Sequence, residues 1–327
     1  MRALVTGADG FIGSQLVLSL LEAGYEVRAM VLYQSAGTAG WLDSFPTEIR
    51  SQVEIIPGDI RDAGRVSACV AGADVVFHLA ALISIPYSYQ SPESFVDVNI
   101  RGTLQVLEAA RQHGTTRVIV VSSSEVYGTA QYVPIDEGHP LQPQSPYSAS
   151  KIGAESLALS YWHTWQVPVT VVRPFNAYGP RQSVRAFIPA VIVQLLQQGS
   201  TIRLGRLDTQ RDYTYVTDTA EGLIRLAACE AACGQVVNIA TGVSWTMAAL
   251  AAWLISYLRP DAQIEQDPAL IRPHGSEVLH LQGSADRLRA LTGWSPAILP
   301  PEGLQRTADW YADPAHLAWY AHGGFRY

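Results

Sequence analysis

Five residues within one stretch have the types and spacing for proton transfer: Ser123, Ser124, Glu125, Tyr147 and Lys151. The run Val118-Ile119-Val120-Val121 before them is strongly β-branched and reads as a buried strand. It ends in Ser122-Ser123-Ser124-Glu125, which sets three hydroxyls and a carboxylate at a strand's carboxyl end. In open α/β sheets that end faces the ligand crevice. Further on, Ser145-Pro146 has the form of an N-cap followed by proline at the first helical position. Tyr147 and Lys151 then fall four apart on the helix, so their side chains share a face. A lysine ammonium near a phenol favours the phenolate, lowering a pKa that starts near ~10. Such a phenolate can take a proton from a substrate hydroxyl. A YxxxK pair by itself also occurs on many surface helices, so the elements around it carry the weight.

The first of those elements is Ala3-Leu4-Val5, a strand followed at once by Thr6-Gly7-Ala8-Asp9-Gly10-Phe11-Ile12-Gly13. Glycines at 7, 10 and 13 permit a tight turn, close approach to a pyrophosphate and close strand–helix packing. The helix runs through Leu16, Val17, Leu20 and Leu21 and stops at Gly24. Further strands are expected at 27–32, 53–56, 75–79, 169–173 and 236–240. Long helices are expected from Pro92 to His113 and from Phe187 to Gln198, with Asp218 capping a helix over 219–228. An NAD site usually has an acid at the end of the second strand, an NADP site an arginine. This chain has Val31, Leu32, Tyr33, Gln34 and Ser35 there, and no basic residue from Val31 to Gly40, which favours NAD and leaves NADP open.

The chain has 327 residues, 48% apolar and 16% charged, enough for a large core in one or two intimate domains. Its 22 basic and 29 acidic residues give a net charge of −7, which argues against nucleic-acid or anionic-membrane partners. Cys69, Cys229 and Cys233 form no disulfide framework, no zinc pattern accompanies them, and no metal is expected. No secretory signal or membrane-length apolar run is visible, so a cytoplasmic protein is expected.

Ser123-Ser124-Glu125-Val126-Tyr127-Gly128 and Tyr147-Ser148-Ala149-Ser150-Lys151, with the GxxGxxG spacing, resemble the extended short-chain dehydrogenase/reductases that act on nucleotide sugars. The resemblance implies a Rossmann-type doubly wound parallel sheet (1–177 and 213–242) with a smaller mixed α/β substrate domain (178–212 and 243–327). It implies a dinucleotide held by Gly7, Gly10, Phe11, Ile12 and Gly13, by Asp59 and Ile60, by Leu79, Ala80 and Ala81, and by Asn99, Tyr147 and Lys151. Asp59 serves equally well as the cap of the next helix. Tyr147 fills the family's base role, which leaves His78 as a packed residue. The same resemblance assigns the sugar nucleotide to Ser84, Asn176, Arg181, Arg185, Arg211 and Arg272, with Glu277 orienting Arg272. It also implies a homodimer built on the 92–113 and 147–165 helices.

Glu125 sorts the chemistry. Oxidation at C4 of a sugar acidifies C5, and a carboxylate there can remove that proton and permit loss of the C6 hydroxyl. Ser124-Glu125 is similar to the GDP-mannose-type 4,6-dehydratases. Val31-Leu32-Tyr33, Ile85-Pro86-Tyr87-Ser88-Tyr89, Gly128–Pro134 and Gly179-Pro180-Arg181-Gln182-Ser183 resemble dehydratases of legionaminic-acid pathways. A uronate decarboxylase, a 4-epimerase and a catalytically silent dinucleotide binder are the alternatives on the same scaffold.

Overall fold

The computed structural model describes residues 1–197, 200–271, 275 and 277–320. Its main sheet is made of β1 (Arg2–Thr6), β2 (Glu26–Leu32), β3 (Val53–Gly58), β4 (Val75–His78), β5 (Arg117–Val121), β6 (Val169–Pro174) and β7 (Val236–Ile239). All seven are parallel, in the order β7-β6-β5-β4-β1-β2-β3. The order reverses between β1 and β4, and the crevice at such a switch point is where α/β sheets bind ligands.

Alternate residues of each strand face opposite layers. Ala3 and Val5 of β1, with Ile119 and Val121 of β5, join Leu16, Val17, Leu20, Leu223 and Leu226 in one layer. Leu4, Val118 and Val120 join Val66, Val106, Leu107 and Ala158 in the other. The near-continuous Val/Ile runs of this sheet are what burial on both faces demands.

A second sheet joins Asn176–Tyr178, Gln210–Tyr215, Ser244–Thr246 and His280–Leu281. Helices Phe187–Gln197, Met247–Leu258 and Pro300–Ala312 cover it, around a core containing Tyr178, Leu195, Leu250, Leu254, Leu304 and Tyr311. Helix Asp286–Thr292 and Trp294 then return to the main core beside Leu223 and Ile239.

Three local expectations need correcting. The helix expected from Pro92 to His113 is interrupted by a wide turn at Val96–Arg101 between Pro92–Phe95 and Gly102–His113. Asp218 does not cap its helix, which begins at Val216; its carboxylate accepts from Ala297 N and Ile298 N at 3.1 and 2.9 Å and ties down the C-terminal region. Asp62, not Asp59, caps helix Ala63–Val70 by accepting from Arg65 N at 3.1 Å.

Candidate active site

The end of β5 and the start of helix Pro146–Trp165 meet as the motif requires. Ser123 is extended, with φ −160°, and its hydroxyl accepts from Glu125 N at 3.2 Å, opening a short helical turn at Ser124–Tyr127. Gly128 closes that turn at φ +64°; a Cβ there would sit 2.5 Å from Gln142 O. On the facing helix Ser145 caps in both senses: its hydroxyl accepts from Ser148 N at 3.1 Å, and Ser148 Oγ accepts from Ser145 N at 3.1 Å. Proline follows at the first position, so the turn carrying Tyr147 is fixed at its origin.

Tyr147 is buried and its phenol hydrogen-bonds to Ser123. Phe95 packs edge-on to the ring, with centroids 6.3 Å apart, and Ile85 completes the wall. Lys151 Nζ donates to Val121 O at 2.8 Å, anchoring the helix to the strand end. Glu125 is half-buried and close enough for its charge to act on Tyr147. Ser124 is buried at the head of its turn. The structure thus brings Ser123, Glu125, Tyr147 and Lys151 together.

The electrostatics differ from the simple pairing expected. Burial pushes the Tyr147 phenol up to about 12, the Ser123 hydrogen bond lowering it and Glu125 raising it. Burial also drives the Lys151 ammonium down to about 8, with Glu155 acting in the opposite sense. Desolvation opposes the charged form of both groups. Lys151 spends its bond on a backbone carbonyl, so its effect on the phenol does not outweigh that burial.

The glycine loop divides its tasks. Gly7 adopts φ +69°, and a Cβ on it would lie 2.8 Å from Ala80 N, so it lets the segment Leu79-Ala80-Ala81 abut the loop. A Cβ on Gly13 would sit 2.1 Å from Gly7 O, which fixes helix against loop. Gly10 is exposed and is the N-cap of helix Phe11–Glu22, with no side chain capping it. The first amides of that helix, Phe11 and Ile12 among them, have no side-chain acceptor at the cap, which suits a pyrophosphate.

Other expected cofactor residues turn inward. Asn99 Oδ1 accepts from Leu82 N at 2.8 Å while Nδ2 donates to Leu82 O and Ser150 Oγ at 3.0 and 2.9 Å. It braces the loop after β4 against the Tyr147 helix, and the wide turn at Val96–Arg101 is where it sits. Asp59 is engaged by Arg61, whose Nε and Nη2 donate at 2.9 and 2.6 Å and hold the carboxyl below its usual range. Ile60 is buried, and a Cβ on Gly102 would reach it at 2.9 Å. His78 lies buried between Thr6 Oγ1 and Thr103 Oγ1 at 2.9 and 3.0 Å, and burial takes it down to about 3. It is a packed neutral histidine.

Of the residues expected to hold the sugar nucleotide, Asn176 has a buried Oδ1 with no hydrogen-bond partner among the described residues. Arg211 is buried and faces Glu277 at 3.6 Å, so Glu277 orients Arg211. Ser84 caps helix Ile85–Gln90, which packs beside Tyr147. Arg185 is exposed. Arg181, at φ +71°, donates to Gln15 Oε1 at 2.7 Å and lies over the Phe45 ring, 5.8 Å from its centroid. It ties the segment after Asn176–Tyr178 to helix Phe11–Glu22. Arg272 lies outside the described residues.

Sequence reasoning missed two features. Behind Lys151, Arg173 forks onto Glu155 at 2.9 and 2.6 Å and donates to Tyr127 OH at 2.9 Å, and Tyr127 donates to Asn238 at 2.7 Å. The spacing of Glu155 four residues after Lys151 was the available signal. Asp212 accepts from Thr241 N, Gly242 N and Gly283 N at 2.9, 2.9 and 3.2 Å, stapling three strand ends; its place beside Arg211 was the only hint.

Comparison with known proteins gives a consistent picture. The family model described as GDP-mannose 4,6 dehydratase matches residues 4–307. A dTDP-glucose 4,6-dehydratase of Streptomyces antibioticus is 35% identical over 98% of this chain and 94% of its own. A UDP-glucose 4-epimerase of Mycolicibacterium smegmatis is 33% identical over 95% of this chain and 98% of its own. The solved dTDP-glucose 4,6-dehydratase of Streptomyces venezuelae, with NAD and TYD bound, superposes with a TM-score of 0.86 at 30% identity, covering 98% of this chain and 99% of that one.

Proposed function

The chain belongs to the GDP-mannose 4,6-dehydratase family, and from that premise we propose that it is an NAD-dependent 4,6-dehydratase of a nucleoside-diphosphate hexose. The product is a 4-keto-6-deoxy sugar nucleotide and water. The observation that carries this reading is Glu125, held by Ser123 within electrostatic reach of Tyr147 at the end of β5.

NAD, held at the glycine loop by Gly7, Gly10 and Gly13, would supply the hydride acceptor for C4 and the hydride donor for C6. Tyr147 takes the C4 hydroxyl proton, with Ser123 holding the phenol in line. Lys151, fixed through Val121 O, supplies the positive charge that favours the phenolate. The ketone at C4 acidifies C5, and the Glu125 carboxylate removes that proton. The C6 hydroxyl departs as water with the proton that Glu125 has taken, relayed by the neighbouring Ser124 hydroxyl, and Glu125 returns a solvent-derived proton to C5 as C6 receives the hydride. Arg211 donates to the diphosphate, for which a planar guanidinium is suited. The partnerless Asn176 carbonyl accepts from a sugar hydroxyl. Arg185 and Arg272 are assigned to the same ligand. Partly buried Leu104, Leu157 and Leu159 lie on the helices Gly102–His113 and Pro146–Trp165, and a homodimer through these helices is part of the reading; a monomer by light scattering refutes that part.

Glu125→Gln tests the chemistry. The amide keeps the shape but is no base, so C4 oxidation persists while elimination falls by about 10²–10⁴-fold. Wild-type enzyme turning over in heavy water places deuterium at C5 and releases a product lighter by one water. An epimerised product of unchanged mass supports the epimerase, in keeping with the mycobacterial relative. Release of carbon dioxide from a uronate-bearing substrate supports a decarboxylase. Either outcome removes the dehydratase.

A further inference from the structure

β2 ends at Leu32 and continues into Tyr33, Gln34 and Ser35, so the position that usually carries the ribose-binding acid has none. Leu32 and Tyr33 are 53% and 68% exposed, leaving the end of β2 open and apolar. The structure brings a carboxylate to that point from the glycine loop. Asp9, between Gly7 and Gly10, has its Oδ2 3.4 Å from Leu32 N. A hydrogen bond of that length is weak and leaves most of the carboxylate's accepting capacity for another donor.

The Asp9 backbone is held from outside. Trp41 N donates to Asp9 O at 3.1 Å. Gly40, at φ +59°, presses so closely that a Cβ on it would stand 2.7 Å from Asp9 O and 2.8 Å from Asp9 Cβ. Partial burial pushes the Asp9 carboxyl above its usual range, as for a group lacking full compensation. The arginines that follow β3 are engaged elsewhere: Arg61 is forked onto Asp59, and Arg65 gives Nε and Nη2 to Pro57 O at 2.8 and 2.6 Å.

We propose that Asp9 replaces the missing β2 acid, accepting a hydrogen bond from the adenosine ribose 2′-hydroxyl and repelling a 2′-phosphate, so that it selects NAD over NADP. This rests on the dinucleotide reading of the glycine loop. The sequence after β2 favours NAD but does not supply the residue that selects it.

The test is binding, not turnover. Dissociation constants for NAD, NADP and 2′-deoxy-NAD are measured by calorimetry on the nucleotide-free full chain and on Asp9→Asn and Asp9→Ser. Asparagine keeps an acceptor for Leu32 N, so the loop survives; serine repeats the loss of charge with a smaller group. Wild type should prefer NAD to NADP by a hundredfold or more. Asp9→Asn should lose tenfold or more in NAD affinity, and its preference over NADP should shrink by more than that. For 2′-deoxy-NAD, wild type and Asp9→Asn should bind nearly alike, because the partner of the carboxylate is gone. An unchanged NAD-to-NADP ratio in both variants, with unchanged melting, overturns the assignment of Asp9. Failure of wild type to bind either dinucleotide overturns the glycine-loop reading itself.

Discussion

Helix Pro146–Trp165 carries two buried charged groups one turn apart, and their surroundings differ. At Glu155 the charge is fully compensated: the carboxylate takes both arms of Arg173, Arg173 also reaches Tyr127, and Tyr127 donates to Asn238. The Arg173 guanidinium lies 4.8 Å from the Tyr127 ring centroid. Burial pulls the Arg173 pKa down, but Glu155 outweighs it and holds the guanidinium above its usual value. At Lys151 and Tyr147 burial wins, and among the described residues each group has one hydrogen-bond partner, a backbone carbonyl and a serine hydroxyl. A buried charge with a closed set of partners holds elements together. Groups buried with bonding capacity left unfilled keep their ionisation adjustable, which is the property a proton-transfer site needs.

Removing the Tyr147 hydroxyl should break the comparison most visibly. Tyr147→Phe deletes the group proposed to exchange the proton and, among the described residues, one hydrogen bond, to Ser123. Turnover should fall by about 10²–10⁴-fold, while melting temperature stays near wild type. Rates close to wild type in a well-folded protein would deny Tyr147 its role.

The reverse pattern is expected one turn on. Arg173→Met leaves Glu155 charged and unpaired in the core, and breaking a buried pair from one side costs about 3–5 kcal/mol. Adding Glu155→Leu should restore a good part of that stability. Denaturant titration measures both, and activity per folded molecule should fall modestly in the double variant, because Glu155 also supports the Lys151 charge. If the double variant is as unstable as the single one, the pair is not what holds these elements.

Much of this site was readable because its determinants are local in the chain. The serine-rich strand end, the Ser145-Pro146 start and the four-residue spacing of Tyr147 and Lys151 each act within one or two turns. The strands were legible for a similar reason, since a parallel sheet buried on both faces needs unbroken β-branched runs such as Val118–Val121. What stayed hidden depends on chain crossings. Asp9 meets Leu32 across 23 residues, and Tyr127 meets Asn238 across 111. Sequence offered Asp59 as the cap of the next helix; only the geometry shows Arg61 claiming it and Asp62 taking the cap. The tyrosine pKa was misjudged because burial depth, which outweighs the lysine, is a tertiary quantity.

A pH series sharpens the contrast at Lys151. Its folded pKa is depressed to about 8 from an ordinary 10.5, so the folded state binds fewer protons than the unfolded chain between those values. Stability contributed by this group therefore rises with pH across that window and is least below pH 8. Below pH 8 the buried ammonium costs roughly 3 kcal/mol at ~1.4 kcal/mol per pKa unit. Lys151→Met should thus be relatively more stable than wild type at pH 7, and that advantage should shrink by pH 10. Tyr147, raised to about 12, acts oppositely and only above its ordinary value near 10. An advantage independent of pH would mean that Lys151 is not destabilised by burial.

The smallest effect is expected at the helix origin, where the two regions part company in rigidity. Ser145→Ala removes the acceptor for Ser148 N, although Ser148 Oγ keeps its bonds to Ser145 N and O. Half a capping box remains, and loss of an N-cap acceptor typically costs about 1 kcal/mol. The first turn carries Tyr147 as its second residue, whereas Glu155 lies two turns further in. Fraying should therefore reach the phenol and not the Glu155–Arg173 pair. Turnover should drop a few-fold with binding of the dinucleotide little changed, and hydrogen exchange should quicken at Ser148 and Ala149 but not beyond Glu155. As a control, Ser156→Ala removes an exposed hydroxyl that bonds Ile152 O in the same helix, and neither quantity should move. Equal effects from both substitutions would mean that the cap does not set the position of Tyr147.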